Sequence, residues 1–139
     1  MRGINSLTIM KIAVIGSREF DDYNLLKDVL FDFTRKEKIV IVSGGAKGAD
    51  SLAKKFAKEN GLRYIEFAAD WYNLDVTPCK IKIDKNGKEY NCLAGFARNK
   101  DIISNADMVV AFHNGVSRGT LDSLEIARQQ KKNTLIIYF

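Results

Sequence analysis

The stretch Val42 to Ala53, VSGGAKGADSLA, breaks an apolar run with Gly44, Gly45 and Gly48 and then resumes with helical spacing, the pattern of a strand, a loop and a helix. Glycines in such a loop take positive φ and let a ligand approach the main chain, while the unpaired N–H groups of the next helix attract an anion. The chemistry implied is phosphate or nucleotide binding by Gly44, Gly45, Ala46 and Gly48. Asp50 has two readings: a hydrogen bond to a ribose hydroxyl, or a place in the first helical turn where its charge suits the dipole. The loop lacks the Lys and Ser/Thr of a P-loop and the spacing of GxGxxG, which disfavours P-loop ATP hydrolysis.

Two further loops offer related chemistry. Gly16, Ser17 and Arg18 follow an apolar run and supply a close backbone, a hydroxyl and a guanidinium fork that matches phosphate oxygens. In HNGVSRGTLDSLE, Gly115, Gly119 and Thr120 supply free N–H groups and a hydroxyl at a helix start, where a threonine N-cap is the plainer reading. Arg98 and Asn99 lie on the helix before that run, with an end facing the same crevice. Ser17 has no His-Asp partner set, and the only histidine, His113, reads as a wall or hydrogen-bonding residue rather than a general base. Cys79, Cys92 and His113 lack a fourth ligand and CxxC spacing, so no metal site is expected. Trp71 opens an aromatic pair with Tyr72 that either stacks on a base or packs beneath the neighbouring hairpin.

The elements that must position these residues follow from periodicity. KIAVIG at Lys11 to Gly16 reads as a buried strand, and Leu26, Val29, Leu30 and Phe33 mark one apolar helix face between about Tyr23 and Lys36. Ile39 to Ser43 is a second strand, Leu52 to Ala57 a second helix ended by Asn60-Gly61, and Arg63 to Phe67 a third strand. Between Ala68 and Leu93 the alternation around Lys85-Asn86-Gly87 predicts a hairpin excursion, residues 78–93. A four-residue loop from Asp84 to Gly87 would set Cys79 opposite Cys92. A helix from about Gly95 to Ser104, a strand Met108 to Phe112, a helix from about Thr120 to Gln130 and a strand Thr134 to Tyr138 complete the order.

This alternation predicts an α/β fold, a Rossmann-like three-layer sandwich. Its five-stranded parallel sheet takes the order 3-2-1-4-5, with a β-hairpin insert between strands 3 and 4. In that order the loops after strands one, two and four converge where strand order reverses.

The 139 residues fit one domain, 1–139, with residues 1–9 a short extension ahead of the first strand. Net charge is +5, an excess that suits anionic ligands, but the lysines are dispersed and form no nucleic-acid-binding stripe, so nucleic acid is not expected as a partner. Apolar runs of about five or six residues fall short of the roughly 18 needed to span a bilayer. With two cysteines and no recognisable signal peptide, a cytoplasmic location is expected.

GSREF after strand one, SGGAKGAD after strand two, ARN ahead of strand four and GxxxGT after it resemble, in order and spacing, the SLOG superfamily. These are Rossmann-like nucleotide-binding proteins related to the LOG phosphoribohydrolases and the DNA-processing protein DprA. The resemblance covers nearly the whole chain from Met10, with small stand-alone bacterial and phage members the nearest pattern. It implies a nucleotide-derived small-molecule ligand, a homodimer and no separate cofactor. It also carries Arg98 onto the arginine of the LOG signature, Gly119-Thr120 onto its GT and Asp122 onto its first acidic position. His113-Asn114 stands in place of Pro-Gly, Asn99 in place of lysine, and Asp122 in place of glutamate, with Glu125 one turn on as the substitute.

Three functions follow. A sensor, sink or carrier binds the nucleotide intact; a phosphoribohydrolase-like N-glycosidase cleaves it using Arg98 and Asp122, a carboxylate that would stabilise positive charge on the ribose and orient water; a DprA-like protein binds single-stranded DNA. The departures from the LOG signature favour binding.

Overall fold

Residues 8–139 are described by the computed structural model. Their order is β1 (Ile9–Gly16), α1 (Tyr23–Thr34), β2 (Lys38–Ser43), α2 (Ala49–Glu59), β3 (Arg63–Glu66), β4 (Ile81–Ile83), β5 (Glu89–Asn91), α3 (Ala94–Ser104), β6 (Met108–His113), α4 (Arg118–Gln129) and β7 (Asn133–Tyr138). Five strands form one parallel sheet in the order β3-β2-β1-β6-β7. Counting sheet strands alone, this is 3-2-1-4-5, and the expected Rossmann-like sandwich is present.

Both faces of the sheet are covered, which explains why the strands read as continuous apolar runs. Ile12, Val14, Ile41, Val110 and Phe112 point to one face and pack with Leu26 and Leu30 of α1 and Phe56 of α2. Their neighbours Ala13, Ile15, Val42, Val109 and Ala111 point to the other, against Ile102 and Ile103 of α3 and Ala127 of α4. Local signals set the helix ends. Asp22 accepts a hydrogen bond from the Leu25 N–H at 3.0 Å to cap α1. Past α2, Gly61 takes φ +63° and the Leu62 N–H reaches the Ala57 carbonyl at 2.8 Å.

Four sequence expectations shift. Ile9 belongs to β1, in register with Lys38, so the extension covers fewer residues than 1–9; residues 1–7 lie outside the described part. Helix α4 starts at Arg118 and its N-cap is Ser117, not Thr120. The hairpin pairs Ile81 with Asn91, Lys82 with Tyr90 and Ile83 with Glu89, leaving a loop from Asp84 to Lys88. That loop is one residue longer than the Asp84 to Gly87 expectation. The Cys92 N–H therefore bonds the Lys80 carbonyl, and the cysteines are not opposite one another. The slip follows from Asp84, whose Oδ1 accepts from the N–H groups of Asn86 and Lys88 and organises the wider turn.

The insert is anchored by Asn91, which is fully buried. Its Oδ1 accepts from the N–H groups of Lys80 and Leu93, its Nδ2 donates to the Pro78 carbonyl, and its own N–H donates to the Trp71 carbonyl at 2.7 Å. One residue, through its side chain and its own N–H, thus ties the base of the hairpin to Trp71 and to the start of α3.

Candidate functional site

The β1 loop is built around Ser17. Its N–H donates to the Phe112 carbonyl, its Oγ accepts from the Asn114 N–H at 3.2 Å, and its carbonyl accepts from Phe20 and Ala49. The residue is 1% exposed and joins the loops after β1, β2 and β6. The β2 loop comes so near that a Cβ on Gly48 would lie 2.3 Å from the Ser17 carbonyl oxygen, and Gly48 also has φ +79°, a combination open only to glycine. Arg18 is exposed at the mouth, with no ion pair among the described residues.

In the β2 loop the carboxylate comes from within. Asp50 Oδ2 accepts from the N–H groups of Gly44 and Ala46, each at 3.2 Å, so two amides read as a phosphate cradle are held by a side chain of α2. Neither of the two readings of Asp50 included this bond. Burial pushes its carboxyl above the usual range, while the Ala46 amide and the Arg98 guanidinium pull the other way.

Arg98, on the second turn of α3, donates from Nη1 to the Gly44 carbonyl at 2.7 Å and to the Phe67 carbonyl at 3.4 Å, and from Nε to the Gly95 carbonyl at 3.2 Å. Its pKa is lowered by burial, with Asp50 and Glu66 opposing and Arg18 adding to the effect. It still remains charged, as arginine does in proteins. Two cations, Arg98 and Arg18, thus act on one another across the pocket.

At the start of α4, Ser117 Oγ accepts from the Thr120 N–H at 3.4 Å and from Thr120 Oγ1 at 3.1 Å, and Asn114 Oδ1 accepts from Val116 and Ser117 N–H. The orphan N–H groups of the first turn that these caps leave over belong to Arg118 and Gly119. Asn99 Nδ2 donates to Asp122 Oδ2 at 3.1 Å and to the Gly119 carbonyl at 3.4 Å, clamping α3 to α4.

These loops enclose a pocket of about 460 Å³. Of the sequence-predicted residues, Gly16, Ser17, Arg18, Ala46, Asp50, Trp71, Arg98, Asn99, Gly119 and Thr120 line it. Gly44, Gly45, Gly48 and Gly115 do not; they shape the loops behind the wall. Nor do Asp122 and Glu125 reach it: Asp122 is engaged by Asn99, and Glu125 sits exposed, ion-paired with Arg128. Trp71 lines the pocket, whereas Tyr72 faces the hairpin, its hydroxyl on Asp84 and the Lys88 ammonium 4.0 Å from its ring centroid. The pair is therefore split, Tyr72 against the hairpin and Trp71 on the pocket wall. Buried His113 accepts at Nδ1 from the Gly115 N–H at 3.3 Å.

Sequence reasoning missed the apolar wall, Ile15, Phe96 and Ile102, and with it Glu19, Asn114 and Ser117. Phe96 and Ile102 have the apolar character of core positions, so nothing local in the sequence marks them as wall residues. The S-x-x-T spacing of Ser117 and Thr120 was the available sign of the cap.

The loop convergence on a β1/β6 switch point, in a sheet of this order, matches what comparison with known proteins finds. The model of the YspA, cpYpsA-related SLOG family matches residues 10–73. The Gene 61 protein of Mycobacterium phage D29 is 32% identical over 134 residues, spanning 93% of this chain and 95% of that protein. The chain belongs to the SLOG superfamily. Among solved structures, this SLOG chain is similar to DNA processing protein A from Streptococcus pneumoniae, at TM-score 0.71 and 26% identity over 94% of the chain. It also resembles DNA processing protein A from Helicobacter pylori, which has a single-stranded DNA binding mode, at TM-score 0.65 and 21% identity over 93% of the chain. The match spans only 51% and 65% of those two proteins, respectively. Among the described residues no helix is long and apolar enough to cross a membrane.

Proposed function

We propose that the chain, acting as one SLOG domain, binds a nucleotide-derived small molecule intact. The observation that carries this reading is the mixed lining of the pocket: Arg18, Arg98 and the first turn of α4 line it together with Trp71, Phe96 and Ile102. A ligand with an anionic group and a flat, apolar-faced base fits such a lining, since guanidinium groups and helix N-termini attract phosphate and aromatic side chains stack on bases.

The N-glycosidase reading is the weaker one for a geometric reason. A carboxylate that stabilises an oxocarbenium-like transition state must reach the sugar, and Asp122 and Glu125 are turned to other partners. Calorimetric titration with AMP, ADP and ADP-ribose, paired with chromatography for released base, tests the two together. Saturable binding with no free base is the expected result; base release that Asp122→Asn abolishes would sink the binding-only reading.

Single-stranded DNA is kept as a second reading, against the expectation from charge dispersion, because a similar structure belongs to a protein with a single-stranded DNA binding mode. Affinity for an oligonucleotide that falls steeply with salt, alongside no affinity for the mononucleotides, would favour it.

A further inference from the structure

The glycine-rich loop after β2 carries its own anion, and this changes which groups are left for a ligand. Gly44 is held on both sides: its N–H donates to Asp50 Oδ2, and its carbonyl accepts from Arg98 Nη1. A Cβ on Gly44 would lie 2.4 Å from Arg98 Nη1 and 3.0 Å from Asp50 Oδ2, so the side-chain space of this residue is where the carboxylate and the guanidinium converge. We infer that Asp50 is a positioning residue for ligand binding: it fills the amide cradle of the β2 loop and, through Gly44, fixes Arg98 against the pocket.

Two consequences follow. With the Gly44 and Ala46 amides engaged, the ligand's anionic group is directed to Arg18, Arg98 and the α4 start rather than to the loop with the strongest sequence signal. In addition, Arg98 is pre-ordered before any ligand arrives, because its Nε and Nη1 are tied to carbonyls, so less freedom is lost on binding. The charged and titratable groups facing this arrangement are Arg98 of α3, Glu66 and Tyr64 of β3, and Arg18 of the β1 loop. Lys54 of α2 holds Glu66 at 3.6 Å, and Tyr64 donates to Glu66 at 3.1 Å.

The inference rests on the nucleotide reading for its functional meaning, so its test has one arm with no ligand. In 15N NMR spectra of the full chain, Asp50→Asn keeps a side-chain oxygen of the same size and removes the charge. The Arg98 Nη1–H that is bonded to Gly44 should then exchange with water about tenfold faster, while the amide signals of β1 and β6 stay in place. Unchanged Arg98 exchange in both Asp50→Asn and Asp50→Ala overturns the proposal, whether or not any nucleotide binds. In the second arm, ADP is titrated into wild type, Asp50→Asn, Arg98→Lys and the double variant. Each single change should weaken binding about tenfold and the double should be little worse than either, the sign of one coupled unit. Fully additive losses would show that Asp50 does not act through Arg98. If wild type fails to bind ADP, the nucleotide reading fails while the exchange arm still decides the role of Asp50.

Discussion

The residues that matter most at this pocket are defined by what else they hold. Arg98 spends Nη1 and Nε on backbone carbonyls, a planar geometry that an ammonium does not reproduce. Arg98→Lys should therefore lower ADP affinity about tenfold with little change in thermal midpoint, measured by calorimetry and a melting curve. Asp50 sets a pH dependence. Its folded pKa is raised, chiefly by burial, so the folded state binds its proton more tightly than the unfolded chain does. The stability this contributes is full below about pH 3.9, the unfolded value, and is lost as pH rises through the folded value. Urea unfolding of wild type and Asp50→Asn at a series of pH values should show wild type losing ground to the variant as pH rises from about 4; a pH-independent difference would contradict the shift. The glycines around Asp50 were legible as a loop from sequence because their spacing interrupts an apolar run. The destination of their amides was not. It depends on a carboxylate four to six residues on and a guanidinium 54 residues away, a relation that no local pattern encodes.

Among the elements, the starts of α2 and α4, both at the pocket, are fixed in different ways. Helix α4 has a side-chain cap in Ser117, whereas α2 begins at Gly48 with none. Ser117→Ala should cost about 1 kcal/mol of stability, read from urea unfolding, and should loosen the first turn that lines the pocket. For α2 the useful comparison is between two glycines of positive φ. Gly61 has open space around a would-be Cβ, while at Gly48 that atom meets the main chain of Ser17 and Arg18. Gly61→Ala should cost about 1 kcal/mol for the left-handed backbone alone; Gly48→Ala should cost clearly more and weaken nucleotide binding as well. Strand and helix identities were readable because the apolar runs and the 3.6-residue spacing are strong. The Ser117 start was missed because Thr120, three residues on, offers the same hydroxyl chemistry. The hairpin register slipped by one because Asp84 selects its turn through its own side chain.

For the whole molecule, the sheet order does the assembling, bringing together a site whose parts are scattered along the chain. The core beneath it carries the usual penalty for truncation: Phe56 is fully buried against the first face of the sheet, and Phe56→Ala should cost roughly 3–5 kcal/mol in urea unfolding. Fold class was legible from alternation alone, whereas the apolar lining of the pocket was not, because a wall residue and a core residue have the same composition. Asn91 links the insert to the wall that was missed. The chain has one tryptophan, and the Asn91 N–H grips its carbonyl while its indole stands on the pocket wall, 41% exposed. The protein therefore carries a built-in optical gauge: a stacked base would quench or shift the emission of the lone indole, excited apart from the five tyrosines, so occupancy can be followed in unlabelled protein.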